Sequence, residues 1–121
     1  MSVSINEPLA PQNYVVPFAG GGFLGVNTLG TAAIQVIPAD PTRVSISFIN
    51  PNMVTNINVA VFPVADINGN SLLGTTFGQG GGAPLVPGGI ITFVGDSARL
   101  AWAAVAASSS NVGLTIVPSR T

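Results

Sequence analysis

The chain has 121 residues but only seven formally charged side chains: Arg43, Arg99 and Arg120 against Glu7, Asp40, Asp66 and Asp96, a net charge of -1. Cysteine, histidine and lysine are absent, which excludes a disulfide framework, a thiolate nucleophile, an imidazole base and an ordinary zinc site. Three scattered arginines leave no basic footprint for a nucleic-acid backbone, so nucleic acid is not an expected partner.

Residues 1–30 read as an extended N-terminal arm. Pro8, Pro11 and Pro17 interrupt any ladder of hydrogen bonds, and Gly20-Gly21-Gly22 with Gly25 leaves the backbone permissive. The segment still carries Leu9, Tyr14, Val16, Phe18, Phe23 and Leu24, too apolar a set for a freely solvated linker. These six are the expected partner-binding residues, each large one contributing about 1.5 to 3 kcal/mol when fully removed from water.

Residues 31–121 read as one β-sandwich domain. A β-branched run from Ala32 to Ile37 comes first. The clearest strand follows, with Val44, Ile46 and Phe48 on one face and Arg43, Ser45 and Ser47 on the other. Ile57, Val59 and Val61 repeat the alternation, as do Ile91 with Phe93 and Val112 with Leu114 and Ile116. Ala98 to Ala107 is ambiguous between a short capped helix and a strand; the period-two spacing of Leu100, Trp102, Ala104 and Ala106 favours the strand. Turn chemistry separates the segments at Ala39-Asp40-Pro41, Asn50-Pro51-Asn52, Asn68-Gly69, Val86-Pro87-Gly88-Gly89, Gly95-Asp96 and Ser108 to Ser110. The expectation is an all-β fold, an antiparallel β-sandwich or jelly roll, with a core of Val44, Ile46, Phe48, Val59, Val61, Phe93, Trp102, Leu114 and Ile116.

Three motifs imitate chemistry. Gly20-Gly21-Gly22-Phe23-Leu24-Gly25 and Gly78-Gln79-Gly80-Gly81-Gly82-Ala83 fit a dinucleotide-binding string, but no helix N-terminus is expected after either to meet a pyrophosphate. Asp66-Ile67-Asn68-Gly69-Asn70 opens like a calcium loop. It then places Ser71 where the turn needs Gly and Phe77 where a closing Glu belongs, so Asn68-Gly69 is expected instead at the centre of a type I′ hairpin. The four carboxylates form no local acid–base pair. No catalytic residue, cofactor or metal ligand is therefore nominated, and the expectation is a protein that is not an enzyme.

A folded 12.1 kDa chain exposes roughly 6,000 Å², or about one charge per 850 Å², whereas soluble domains carry a surface about a quarter to a third charged. Either the ten Ser, nine Thr and ten Asn coat a monomer, or copies of the chain and a partner cover much of the surface. The second is favoured, because low charge also removes the repulsion that keeps monomers apart. The longest apolar run, Leu100 to Ala107, falls well short of the ~20 residues of a spanning helix, so no membrane partner is expected. Met1 to Glu7 has no positive region before an apolar stretch, and the chain reads as made and assembled inside a cell.

Several of these segments resemble small virion proteins of tailed bacteriophages, most of all capsid decoration (cement) proteins. The resemblance rests on the Thr42-Arg43-Val44-Ser45-Ile46 strand running to Asn50, the Gly-rich stretch into Leu85-Val86-Pro87-Gly88-Gly89, Ile90 to Phe93, Leu100 to Ala106 and the final Val112 to Val117 strand. It covers roughly the last two-thirds of the chain, and strand–turn–strand patterns of this kind recur across unrelated β folds. It implies a homotrimer located in the virion, assembled in the host cytoplasm, that binds the outer face of the major capsid protein lattice and stabilises it. Two alternatives stay open: a small enzyme, for which an Asp pair drawn together by the fold is the minimum requirement, and a tail, fibre or adhesin module binding a host surface glycan. That reading would need an exposed concave site with Trp102 or Tyr14 and two or three convergent polar groups.

Overall fold

The computed structural model describes residues 22–79 and 81–120. Eight strands form two antiparallel four-stranded sheets: β1 (Leu24–Leu29), β2 (Ile34–Ile37), β3 (Arg43–Ile49), β4 (Val59–Pro63), β5 (Ala83–Leu85), β6 (Ile90–Val94), β7 (Trp102–Ala106) and β8 (Val112–Arg120). The first sheet runs β1-β8-β3-β6 and the second β2-β7-β4-β5. The first strand pairs with the last, the second with the seventh, the third with the sixth and the fourth with the fifth. That nesting is one long antiparallel hairpin rolled into a sandwich, the jelly roll.

The core between the sheets follows from the period of two. Row by row, Ile91, Phe48 and Ile116 align across β6, β3 and β8, and Phe93, Ile46 and Pro118 form the next inward row. Phe48 meets Trp102 at 5.2 Å between ring centroids, and Phe93 lies 4.4 Å from Trp102. Ile46, Phe48, Val59, Val61, Trp102, Leu114 and Ile116 are all buried as the alternation requires, while Phe93 is half-buried against them.

Four expectations need correction. Residues 24–29, read as the end of an arm, form strand β1 on the edge of β8, and Leu29 is fully buried. Val44 is only half-buried while Arg43, expected on the solvent face, lies inside. The register of β3 against β8 slips between Arg43 and Ser45, and such a bulge turns the preceding side chain to the other face. Asn68 has no positive φ whereas Gly69 does, at 83°, and the Gly69 amide donates to the Asp66 carbonyl. The turn is therefore a type I turn closed by a left-handed glycine rather than type I′. Finally, Ala98 to Ala107 divides: Gly95–Arg99 is a short 3-10 turn and Trp102–Ala106 is the strand.

Strands β4 and β7 are buried on both faces, which the alternation did not foresee. Ala60 and Phe62 of β4 pack with Ala33, Ala103 and Val105 in a second cluster outside the sandwich interior. Val64, Leu72 and Phe77, from the 64–79 loop, cover it. The loop is tied down by hydrogen bonds from Leu72 N–H to Val64 O, Ala33 N–H to Thr75 O and Gly74 N–H to Ala33 O.

Candidate interaction surface

The 64–79 loop makes the two sheets unequal. It covers the outer side of β4 and β7, leaving Gln35 of β2 and Pro84 of β5 exposed, while on the outer side of β1-β8-β3-β6 the Asn52 side chain bonds Gly113 at the end of β8. The outward residues of that face follow from register: Ile90, Ile49 and Thr115 in one row, Thr92, Ser47 and Val117 in the next, then Val94 beside Ser45. Ile90 is 64% and Val94 68% exposed. Ser47 and Thr92 share a 2.7 Å hydroxyl–hydroxyl hydrogen bond across the strands. None of these side chains is charged.

The described charges lie elsewhere and are mostly spent. Arg120 Nε contacts Asp40 Oδ2 at 2.8 Å and Arg99 Nη1 contacts Asp96 Oδ1 at 2.7 Å. The Thr42 hydroxyl and amide, donating to Asp40 at 2.7 and 2.9 Å, hold its carboxyl below the usual carboxylate range, with Arg120 adding to the effect. Asp66 is also held low, first by the Asn70 amide and then by that of Asn68, both donating to Oδ1 at 2.9 Å. These bonds are the interior of a turn, so the calcium-like string Asp66 to Asn70 is satisfied by its own backbone. Among the described residues no three acidic side chains gather as a metal would need.

Arg43 is the exception, a guanidinium only 2% exposed. Its Nη1 donates to Ala98 O at 2.8 Å and Leu100 O at 3.1 Å, its Nη2 to Pro38 O at 2.7 Å, and its Nε has no partner. Burial pulls its pKa below the ordinary arginine value. Three carbonyls from two loops make it a corner staple of the sandwich.

Phe23 and Leu24, two of the six residues expected to bind a partner, lie at the mouth of the sandwich where β1 starts. With Ile37, Pro38, Arg43 and Pro118 they line a hollow of about 360 Å³, and Phe23 is 74% exposed. Leu9, Tyr14, Val16 and Phe18 lie outside the described residues. A second cleft, of about 310 Å³, opens at the opposite side between the edge strands β5 and β6, lined by Val61, Phe62, Pro63, Gly82, Ala83, Phe93 and Trp102. It presents aromatic and aliphatic side chains without a polar one. Trp102 is itself 2% exposed, its indole N–H donating to Ser97 O at 3.0 Å, so its polar handle is turned inward rather than toward a ligand.

Where described, both glycine-rich strings lead into strands. Residues 83–85 after the second string form β5, and the first runs into β1, so neither opens a helix that could face a phosphate. At Gly82 a Cβ would sit 2.7 Å from the Val61 carbonyl oxygen and 2.5 Å from the Phe62 ring, which makes glycine a packing requirement there. The residue that sequence reasoning missed is Asn50. Fully buried, its amide donates to Ile57 O at 2.9 Å and Leu85 O at 2.8 Å, and its Oδ1 accepts from the Asn52 amide at 2.9 Å. Turn chemistry marked Asn50 and Asn52, but nothing local says that the side chain reaches inward to β5.

No family model matches the chain, and no curated protein or solved structure is significantly similar to it.

Proposed function

We propose that the chain is a non-enzymatic virion structural protein that associates with copies of itself, as a trimer, and binds the outer face of a capsid lattice to stabilise it. The observation that carries this reading is the uncharged outer side of β6, β3 and β8 among the described residues, opposite a β4–β7 face that the chain's own loop covers. An uncharged face of Ile, Val, Ser and Thr on β6, β3 and β8, exposed along β6, fits a broad protein contact better than a small-molecule pocket. The jelly roll recurs in viral capsid domains and also in lectins, an analogy of architecture that favours neither alone. Against the glycan reading stand the inward-turned Trp102 indole and the absence of polar side chains from its cleft.

In this reading the arm residues Leu9, Tyr14, Val16, Phe18, Phe23 and Leu24 act as a clasp. The cut that tests the first four falls before Gly22, because removal through residue 29 would take away β1 and the buried Leu29; Phe23→Ser, at an exposed position, tests the fifth without touching the strand. The function itself is tested by quantitative mass spectrometry of purified particles from the source. A copy number that is a fixed multiple of the capsid lattice supports it; absence from the particle, or a handful of copies at one vertex, overturns it.

A further inference from the structure

Strand β6, Ile90–Val94, is an edge of its sheet, with five residues in unbroken register with β3 and no described strand on its other side. Hydrogen-bonded and non-hydrogen-bonded pairs alternate along an antiparallel ladder, and three observations fix which are which. The Asn50 backbone amide donates to Gly89 O at 3.0 Å, so Ile91 with Phe48 and Phe93 with Ile46 are the next bonded pairs. Pro118, which has no amide hydrogen, stands opposite Ile46, so Ile46 bonds toward β6 rather than β8. The Ser47 and Thr92 hydroxyls meet at 2.7 Å, as the closer side chains of a non-bonded pair do. The backbone amides and carbonyls of Ile90, Thr92 and Val94 therefore point away from β3, toward the open edge.

Proteins blunt such edges with proline, charge or bulges. Strand β5 carries Pro84, and β1 and β2 each contain a register irregularity. Strand β6 has none of these devices. Its sequence, Ile90-Ile91-Thr92-Phe93-Val94, is also symmetric in kind: a β-branched apolar residue at each end, a large apolar one next to it and Thr at the centre. A two-fold axis through Thr92 sets Ile90 opposite the partner's Val94 and Thr92 opposite the partner's Thr92, so every outward amide of one edge meets an outward carbonyl of the other. On the outer side Ile90, 64% exposed, and Val94, 68% exposed, then cover one another's counterparts. On the inner side the partner's Ile91 lies beside Phe93 and closes the apolar cleft that Phe93, Trp102 and Ala83 line. The nearest charge along the chain, Asp96, belongs to the turn beyond Val94 and is bonded to Arg99. The two copies of it fall at opposite ends of the paired strands, and no like charges meet at the axis.

We propose that two copies of this chain pair through β6 about a two-fold axis at Thr92, joining their β1-β8-β3-β6 sheets into one continuous eight-stranded sheet. The pairing extends the uncharged outer face of β6, β3 and β8 instead of covering it. This contact goes beyond the trimeric association proposed above and does not depend on it; the two together close as a hexamer of three such pairs.

The test is the mass of the full-length protein by sedimentation equilibrium, at high micromolar concentration because one strand pair is a small interface. An even number of copies is expected. Thr92 is exposed on the outer face, and Thr92→Lys or Thr92→Asp puts like charges directly opposite one another at the axis. Each variant, with its fold checked by circular dichroism, is expected to assemble to half the native mass. Mixing the two in equal amounts is expected to restore that mass, with a dissociation constant at least about tenfold below that of either alone, because only at a two-fold axis does one position meet itself. An odd number of copies in the native protein overturns the proposal without any variant, and three copies would do so while leaving the trimer standing. An unchanged mass in either folded variant, or a mixture that stays at half the native mass, overturns it as well.

Discussion

Arg43 Nη1 donates to the carbonyl of Ala98 at 2.8 Å, joining the start of β3 to a turn 55 residues further along the chain. With Leu100 O and Pro38 O also held, one side chain closes the corner where the loop before β3 meets the 3-10 turn before β7. Arg43→Met keeps much of the apolar stem but leaves one buried and two part-buried carbonyls without their donor. The expected loss is about 3 kcal/mol, from groups that each cost roughly 1 kcal/mol or more when unpaired. Arg43→Lys, a point charge without the planar fork, is expected to recover only part of it. Urea unfolding followed by Trp102 emission measures both; a loss under about 1 kcal/mol for the Met variant would mean that the staple is dispensable.

Phe48 touches both Phe93 and Trp102, at centroid distances of 6.2 and 5.2 Å. Phe48→Ala is expected to cost about 3 to 5 kcal/mol. It should also alter Trp102 fluorescence in the folded state, because the ring packed against the indole is removed. An unchanged folded-state spectrum would contradict the ring contact.

Gly82→Ala is the smallest change with a large expected effect. The added methyl meets the Val61 carbonyl oxygen and the Phe62 ring, and backbone cannot yield as a flexible side chain does, so the expected cost is about 1 to 3 kcal/mol. Gly69→Ala serves as comparison: its Cβ meets nothing within 4 Å, and its penalty comes from φ alone. Thermal melts that rank Gly82→Ala no worse than an exposed-site alanine would refute the close approach.

Acid stability follows from Asp40 and Asp66. Both carboxyls are held below the ordinary aspartate value in the folded chain by hydrogen bonds, so the folded state binds fewer protons than the unfolded one near that pH. Their stabilisation is present above the unfolded value, about 3.9, and is lost as pH falls through the folded values. The chain has no histidine, the residue whose ordinary pKa places its charge change between about pH 5 and 8. Urea midpoints should be flat across that range and fall below about pH 4, with a shallower fall in Asp40→Asn. A midpoint that rises on acidification would reverse the sign and refute the assignment.

The alternation of Ile46 with Phe48, of Val59 with Val61 and of Leu114 with Ile116 made the strands and the sandwich legible from sequence, because a half-buried strand writes its inner face at every second residue. Arg43 and Val44 were misread because a bulge shifts the period by one and leaves no local mark. Ala60, Phe62, Ala103 and Val105 were legible only as strand residues. Their second burial depends on Leu72 and Phe77 returning from a loop, a tertiary fact. The uncharged surface was readable as a total, yet its concentration on one sheet depended on which strands pair. That pairing put Ile90, Thr92 and Val94 beside Ser45, Ser47 and Ile49.

The most direct test of the central claim is co-sedimentation of the full-length protein with capsid shells that lack it, in dilute buffer and again at about 1 M salt. With Arg120 and Arg99 paired to Asp40 and Asp96, and the described outer side of β6, β3 and β8 free of charge, the proposed binding would rest on buried apolar and hydroxyl surface. Exposed ion pairs contribute only about 0 to 1 kcal/mol each before screening. The expected result is saturable binding whose affinity is nearly unchanged by salt. Failure to bind the shells, or release of the protein by moderate salt, would contradict it.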